Sequence, residues 1–292
     1  MKPPPFEYFE PASVDEAVGL LAEHGESAKV LAGGQSLVPL LAFRLVRPAC
    51  LVDLNRIGAL AYVEERDGGL ALGAMTRQRA AERAPLVQAR APLLREALGL
   101  IGHPQIRARG TVGGSLAHAD PAAELPAVVT ALDGSLVAQG PGGRRELAAR
   151  DFFRSYLETS LAPGEILVEV RLPPLPPRTG SAFLEVSRRL GDFALVGVAA
   201  VVTLGPGDVC ERARLVFTGV GPVPAVAAGA VRELVGQPLT DAVLERAAAA
   251  VPGELSPAAD IHASALYRRR VAATLTRRAL RLARDRAGGP GR

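Results

Sequence analysis

The sequence predicts an α+β protein built as two units in series, and three observations carry that prediction. An apolar strand-like run twice ends in a Gly-Gly pair and restarts as a new apolar segment, at Gly33-Gly34 and at Gly113-Gly114. A proline run, Pro173-Pro174-Leu175-Pro176-Pro177, then interrupts the chain; consecutive prolines donate no ladder bonds and hold the backbone extended. Beyond it the pattern changes to strand-like segments followed by two helical ones. A boundary in that run divides the chain into residues 1–176 and 177–288, and 292 residues with 48% hydrophobic content suffice for two or three packed units.

In chain order, Ser13 opens a helix through Leu21, with Glu16 three residues after the cap and apolar residues at helical spacing. Lys29-Val30-Leu31-Ala32 reads as a short buried strand that stops at Gly33-Gly34. Ser36-Leu37-Val38-Pro39 restarts a helix, in which Pro39 is tolerated only in the first turn. Leu51 to Leu54 and Leu70 to Ala74 are further strands, Thr76 is placed to cap a helix through Ala81, and Pro92 to Leu100 is helical. Gly110-Thr111-Val112-Gly113-Gly114-Ser115-Leu116 reads as a second glycine turn, leading to an apolar helix from Leu125 to Leu132. Strands recur at Ser135 to Ala138 and Glu165 to Leu172. After the prolines, Gly180 to Arg189, Val196 to Leu204 and Ala213 to Val220 resemble antiparallel strands, and Leu239 to Val251 and Ala265 to Arg286 resemble helices.

Composition removes several function classes. No run reaches the roughly 18 apolar residues of a membrane span, and Met1-Lys2-Pro3-Pro4-Pro5 lacks the apolar segment of a signal peptide, so a soluble cytoplasmic protein is expected. The two cysteines, Cys50 and Cys210, are too few for an iron-sulfur cluster or a structural zinc site, and no metal site is expected. The net charge of +4 and pI near 9.5 owe much to the arginines between Arg268 and Arg286. On a helix shared with Val271, Leu275, Leu280 and Leu282 these arginines form a solvated face over a packed stripe. With aromatic content of 4%, stacking platforms for bases are few, and no nucleic-acid partner is expected.

The glycine pairs carry the chemistry. Glycine permits positive φ and lets a ligand lie on bare main chain, so that successive N–H groups converge on a phosphate oxygen. Each pair is followed by a small hydroxyl residue, Ser36 or Ser115, and two such loops suit one dinucleotide. Neither loop has the Gly-x-Gly-x-x-Gly spacing of a Rossmann site, and the Gly-x-x-x-x-Gly-Lys-Ser/Thr of a P-loop is missing. Spacing alone therefore leaves an uncommitted phosphate-cradling pair.

Ala32-Gly33-Gly34-Gln35-Ser36-Leu37, together with Thr111-Val112-Gly113-Gly114-Ser115-Leu116-Ala117-His118-Ala119-Asp120-Pro121, resembles the paired FAD signature of the medium subunit of the carbon monoxide dehydrogenase and xanthine dehydrogenase family. Phe6 to Pro11, the Asp53-Leu54 strand end, Leu72 to Thr76, Leu161 to Leu167 and Ser187 to Ala194 follow in the same order, so the similarity spans nearly the whole chain. The resemblance implies a vanillyl-alcohol-oxidase (PCMH) type FAD-binding domain of two subdomains, about 1–55 and 56–176, with the cofactor between them and an α+β domain behind.

Carried over by position, the resemblance implies that backbone amides of Gly33, Gly34, Gln35 and Ser36 hold the pyrophosphate, flanked by Lys29, Val30, Leu31, Ala32 and Leu37. Thr111, Gly113, Gly114 and Ser115 face it from the second subdomain, with Gly102, Gly110 and His118 nearby. Asp120 and Glu124 accept hydrogen bonds from ribityl or ribose hydroxyls, and Ile101, Ile106, Leu161 and Phe193 wall the ring system. At Glu185 close relatives often carry a lysine near the flavin, and that contact is not carried over. No catalytic side chain is expected on this chain, because the cofactor supplies the chemistry.

The implied partners are a large subunit with molybdopterin and a small subunit with two [2Fe-2S] clusters, arranged as a dimer of heterotrimers. The implied role is transfer of electrons from those clusters through FAD to an external acceptor. Two readings compete: a self-contained flavin oxidase or reductase on the same fold, and a flavin-free assembly protein.

Overall fold

A computed structural model describes residues 2–288 of the chain. The first structural layer is a three-stranded parallel sheet with Cys50–Asp53 at its centre, flanked by Glu7–Phe9 and Ala28–Leu31. Parallel strands of one sheet need a crossover between them, and the helix Val14–His24 supplies the one that carries the chain from Glu7–Phe9 to Ala28–Leu31 on the opposite edge, burying Ala17, Val18 and Leu21. Ser13 caps it, its hydroxyl accepting from the Glu16 amide, while Glu16 reaches back to the Ala12 amide, one residue beyond the usual capping-box partner. The strand Ala28–Leu31 is an edge strand with Lys29 exposed, so it is less buried than its apolar run suggests.

A five-stranded antiparallel sheet forms the second layer, ordered Val63–Arg66, Gly69–Gly73, Ile166–Leu172, Ser135–Gly140, Gly143–Ala148. Its two faces are used differently, as a period of two requires. Val137, Ile166 and Val168 pack with the first sheet, whereas Leu70, Leu72, Leu136 and Val170 pack under the helices Pro92–Leu100 and Glu124–Ala131; a bulge between Leu167 and Glu169 shifts the alternation, so Val168 and Val170 face opposite ways.

Those two helices also touch the third layer, a four-stranded antiparallel sheet of Thr179–Ser187, Ala194–Leu204, Cys210–Thr218 and Ala225–Val226. Phe183, Ala199, Val201 and Val216 join the core around the helices. Val196, Val198, Ala200 and Val202 face the opposite way, onto Asp241–Glu254 and Ala265–Ala287. Every residue of Ala194–Leu204 is buried. A strand covered on both sides reads as a continuous apolar run rather than an alternating one, which is the pattern this segment shows.

Several local readings change. Thr76 caps no helix: its hydroxyl donates to the Tyr62 carbonyl, and the helix starts later, at Gln78–Arg83 with Arg77 as its cap residue. The second glycine pair is not a turn but lies in the first turns of the helix Val112–His118. On the long basic helix, Arg268 is buried rather than solvated, and Leu282 is exposed rather than packed. No helix of the described residues is long and apolar enough to cross a membrane.

Candidate functional site

The first loop leaves the sheet at Leu31 and turns through Gly34, whose φ of +75° lies in the left-handed region that favours glycine. The Gln35 side-chain amide donates to the Gly33 carbonyl at 3.0 Å and closes the turn. Backbone bonding resumes at Val38, whose amide donates to the Gly34 carbonyl. Among the described residues, none of the amides from Gly33 through Ser36 donates to a protein acceptor, and the Ser36 hydroxyl makes no cap bond. Successive backbone N–H groups without partners form a concave donor surface suited to an anion.

The second loop is organised differently. The Val112 amide donates to the Thr76 carbonyl, Gly113 to Ala74, Gly114 to the Thr111 hydroxyl, and Ser115 to the Thr111 carbonyl. Its amides are therefore committed within the protein, and the division of labour between the loops is unequal. What the second glycines provide is clearance. A Cβ on Gly113 would sit 2.4 Å from the Ala74 Cβ, and one on Gly114 would sit 2.6 Å from the Thr111 hydroxyl and 3.3 Å from the Ala32 Cβ. The Ser115 hydroxyl has no protein partner among the described residues and stays available.

The two loops meet. A Cβ on Gly33 would lie 2.4 Å from the Arg109 carbonyl oxygen and 2.7 Å from the Gly110 Cα. Residues separated by some eighty positions thus form one cleft, with the segment Ala74 to Gln78 behind the second loop and the Gln78 amide donating to the Gly110 carbonyl.

Three further segments carry residues that the sequence assigns to the ring system. Ile101 and Gly102 are held by Arg107, whose guanidinium donates to both their carbonyls while pairing with Glu82. Gly102 has a φ of +50° and lies against Ile106, which is exposed. The hairpin between Ser187 and Ala194 packs its Gly191 onto His103 and Gly102, so Phe193, itself 64% exposed, is carried beside the Ile101–His103 segment. Leu161 is partly buried against the central core.

After His118 the chain turns at Ala119 in the left-handed region, and Asp120 accepts from the Ala122 amide. Glu124 follows as a buried helix-start residue. Burial first, then the nearby Glu185 carboxylate, pushes its pKa up to about 8, and burial pushes Glu185 up to about 7. One oxygen of Glu185 is buried without a hydrogen-bond partner.

Two residues of this region were not singled out by the sequence, Asn55 and Arg77. Asn55 donates to the Ala32 carbonyl and accepts from Arg77, which also donates to the Arg109 carbonyl. Neither has a local sequence signal beyond following a strand end, because their partners are distant in the chain. Among the described residues no group of three or more His, Cys, Asp or Glu side chains is placed to hold a metal.

The donors present fit a dinucleotide diphosphate: partnerless amides on one loop, bare main chain where the second loop closes on it, and free hydroxyls at Ser36 and Ser115. Comparison with known proteins points the same way. Residues 4–175 match the family described as the FAD binding domain in molybdopterin dehydrogenase, and residues 181–283 match the CO dehydrogenase flavoprotein C-terminal domain. The chain is 45% identical over 287 residues to the 6-hydroxypseudooxynicotine dehydrogenase complex subunit alpha of Paenarthrobacter nicotinovorans, covering 98% of this chain and 97% of the relative. It is 40% identical to the carbon monoxide dehydrogenase medium chain of Hydrogenophaga pseudoflava, over 97% of this chain and 98% of that one. A solved structure of carbon monoxide dehydrogenase from the same organism superposes with a TM-score of 0.95, at 40% identity over 98% of this chain and 99% of the other.

Proposed function

Since the chain belongs to the family of FAD-binding medium subunits of molybdenum hydroxylases, we propose that it is the electron-transferring flavoprotein of a three-subunit dehydrogenase. The chain is an oxidoreductase subunit that binds FAD. The observation that carries the reading is the run of four partnerless amides, Gly33 to Ser36, closed over by the Arg109 to Gly114 segment.

In this reading the amides of Gly33, Gly34, Gln35 and Ser36 hold the diphosphate, and the hydroxyls of Ser36, Thr111 and Ser115 add donors. Asp120 and Glu124 face the ribityl or ribose hydroxyls, and Ile101, Gly102, Ile106, Leu161 and Phe193 border the ring. When bound, FAD supplies the capacity to take electrons from the [2Fe-2S] clusters of a small subunit and release them to an external acceptor. This chain's own residues bind and orient it. The substrate chemistry belongs to a molybdopterin-bearing large subunit, in a cytoplasmic dimer of heterotrimers, with residues 1–176 of this chain as the FAD unit and 177–288 as the second.

The experiment is to purify the chain, alone or in its complex, record its visible spectrum, and identify the flavin released on denaturation. FAD is expected. Stoichiometric FMN, or a protein that stays colourless after incubation with FAD, would remove the reading. Turnover of substrate by the chain alone would favour a self-contained flavoenzyme instead.

A further inference from the structure

Arg77 sits where the two loops meet, and its bonding is unusual for an arginine. One terminal nitrogen donates to the Asn55 side-chain oxygen at 2.6 Å, and the other to the backbone carbonyl of Arg109. Asn55 in turn donates through its amide nitrogen to the Ala32 carbonyl at 2.9 Å. That carbonyl immediately precedes the partnerless amides, and the Arg109 carbonyl is the atom against which Gly33 packs. A chain of hydrogen bonds, Ala32 to Asn55 to Arg77 to Arg109, therefore spans from the first loop to the second.

Asn55 is fixed from the other side. Asp53 accepts from the Asn55 backbone amide at 2.9 Å and from its side chain, and Tyr8 donates to Asp53. With its oxygen turned to a donor, Arg77, and its nitrogen to an acceptor, Ala32, the Asn55 amide has one sensible orientation.

The second observation concerns charge. Arg77 is half-buried, yet among the described residues neither Arg77 nor Arg109 forms an ion pair. Burial, with the Arg109 charge nearby, lowers the Arg77 pKa against a smaller opposing pull from the Asp53 carboxylate. A half-buried guanidinium that hydrogen-bonds only to neutral oxygens, with Asp53 acting on it through Asn55 rather than as an ion-pair partner, leaves a positive field beside the partnerless amides. The complement of that arrangement is an anion.

We propose that Arg77, positioned by Asn55, sets the gap between the two loops and makes the cleft selective for the diphosphate of the dinucleotide. Arg77 is a positioning residue: it acts through the Ala32 and Arg109 carbonyls and through its charge. The proposal rests on the FAD reading above and adds to it a determinant for one portion of the ligand.

The test uses the full chain freed of flavin, with FAD, ADP and riboflavin as probes, and the variants Arg77→Met, Asn55→Ala, their double, and Arg150→Met as an exposed-charge control. Arg77→Met is expected to weaken FAD and ADP by about tenfold or more while changing riboflavin by less than about threefold. Asn55→Ala gives the same split more weakly, and the double variant loses less than the two single losses together, because both break one linkage. Arg150→Met changes none of the three.

A folded Arg77→Met that binds FAD and ADP like the wild type overturns the inference. So does an equal loss of all three probes, which would mark a purely structural role. If Arg77→Met does not fold, Asn55→Ala decides by the same split. A wild-type chain that binds no FAD fails the reading beneath the inference, and is distinguished from the other outcomes by its own spectrum.

Discussion

Gly33 lies so close to the carbonyl oxygen of Arg109 that a Cβ on it would stand 2.4 Å away, with the Gly110 Cα at 2.7 Å. Both neighbours are backbone, so neither yields by a rotamer change. Gly33→Ala is expected to force the loops apart, costing about 1–3 kcal/mol of stability and most of the flavin occupancy. Thermal melts of the flavin-free protein, read beside the flavin-to-protein ratio, check this. Wild-type values for both would mean that the loops do not close as described.

Gly114→Val acts on the same cleft from the other side. Its φ is not in the left-handed region, so conformational strain is not the reason; the space is. The new side chain meets the Thr111 hydroxyl at 2.6 Å and so removes the cap that Thr111 gives to the helix Val112–His118, worth about 1 kcal/mol. It also presses on Ala32. FAD loss should exceed what that stability change explains, and added FAD should shift the melting temperature little. Gly142→Ala, at an exposed glycine with open space around it, is the control and should bind FAD normally. Full occupancy in Gly114→Val would separate the second loop from the cofactor.

The carboxyls of Glu124 and Glu185 give a pH dependence whose sign follows from burial. Glu185 lies on the same side of its strand as Phe183, toward the helix that Glu124 begins. Burial raises Glu124 from 4.5 to about 8 and Glu185 from 4.5 to about 7, the former helped by Glu185 and Asp120. A carboxyl with a raised folded-state pKa binds its proton more tightly when folded. Its stabilising effect is full below the unfolded value and is lost as pH rises through the folded one. Stability of the flavin-free chain should therefore fall between about pH 5 and pH 8, by on the order of a few kcal/mol. Glu185→Gln and Glu124→Gln should each flatten the decline in melting temperature over that interval. Slopes equal to the wild type would show that the pair does not titrate there.

The parts of the molecule that were legible are those marked by glycine, proline and apolar period. Gly33-Gly34 ends a strand because the left-handed φ at Gly34 suits no side chain well, and Pro173 to Pro177 separates the last strand of the second sheet from the first strand of the third. Gly113-Gly114 reads as a turn in the sequence because glycine is a poor helix former. There the need for clearance from Ala74 and Thr111 outweighs propensity. The link from Asn55 to Arg77 was invisible for a different reason: hydrogen bonds between polar groups 22 residues apart leave no periodic trace.

Arg268 carries a sequence signal of its burial in its spacing. It belongs to the arginine run of Ala265–Ala287 that composition places on a solvated face, but it shares a 4-3-4 spacing with Ala272, Leu275 and Ala279, all buried, which places it on the packed stripe. Its guanidinium donates to the carbonyls of Leu195 and Gly219 and pairs with Asp260 at 2.6 Å. The first two acceptors lie at facing ends of the strands Ala194–Leu204 and Cys210–Thr218, and Asp260 lies in the segment leading into the long helix. One side chain thus joins the sheet to the helix that covers it. Arg268→Met keeps the apolar stem but leaves two carbonyls and a carboxylate without their donor, and such losses cost about 1–3 kcal/mol for each group that stays buried. Asp260 is exposed and regains water, so the two carbonyls dominate and a total of about 2–6 kcal/mol is expected. Arg278→Met, on the exposed face of the same helix, should change stability by less than about 0.5 kcal/mol. Urea denaturation of the two variants decides the matter: equal midpoints would mean that Arg268 is one more solvated arginine after all.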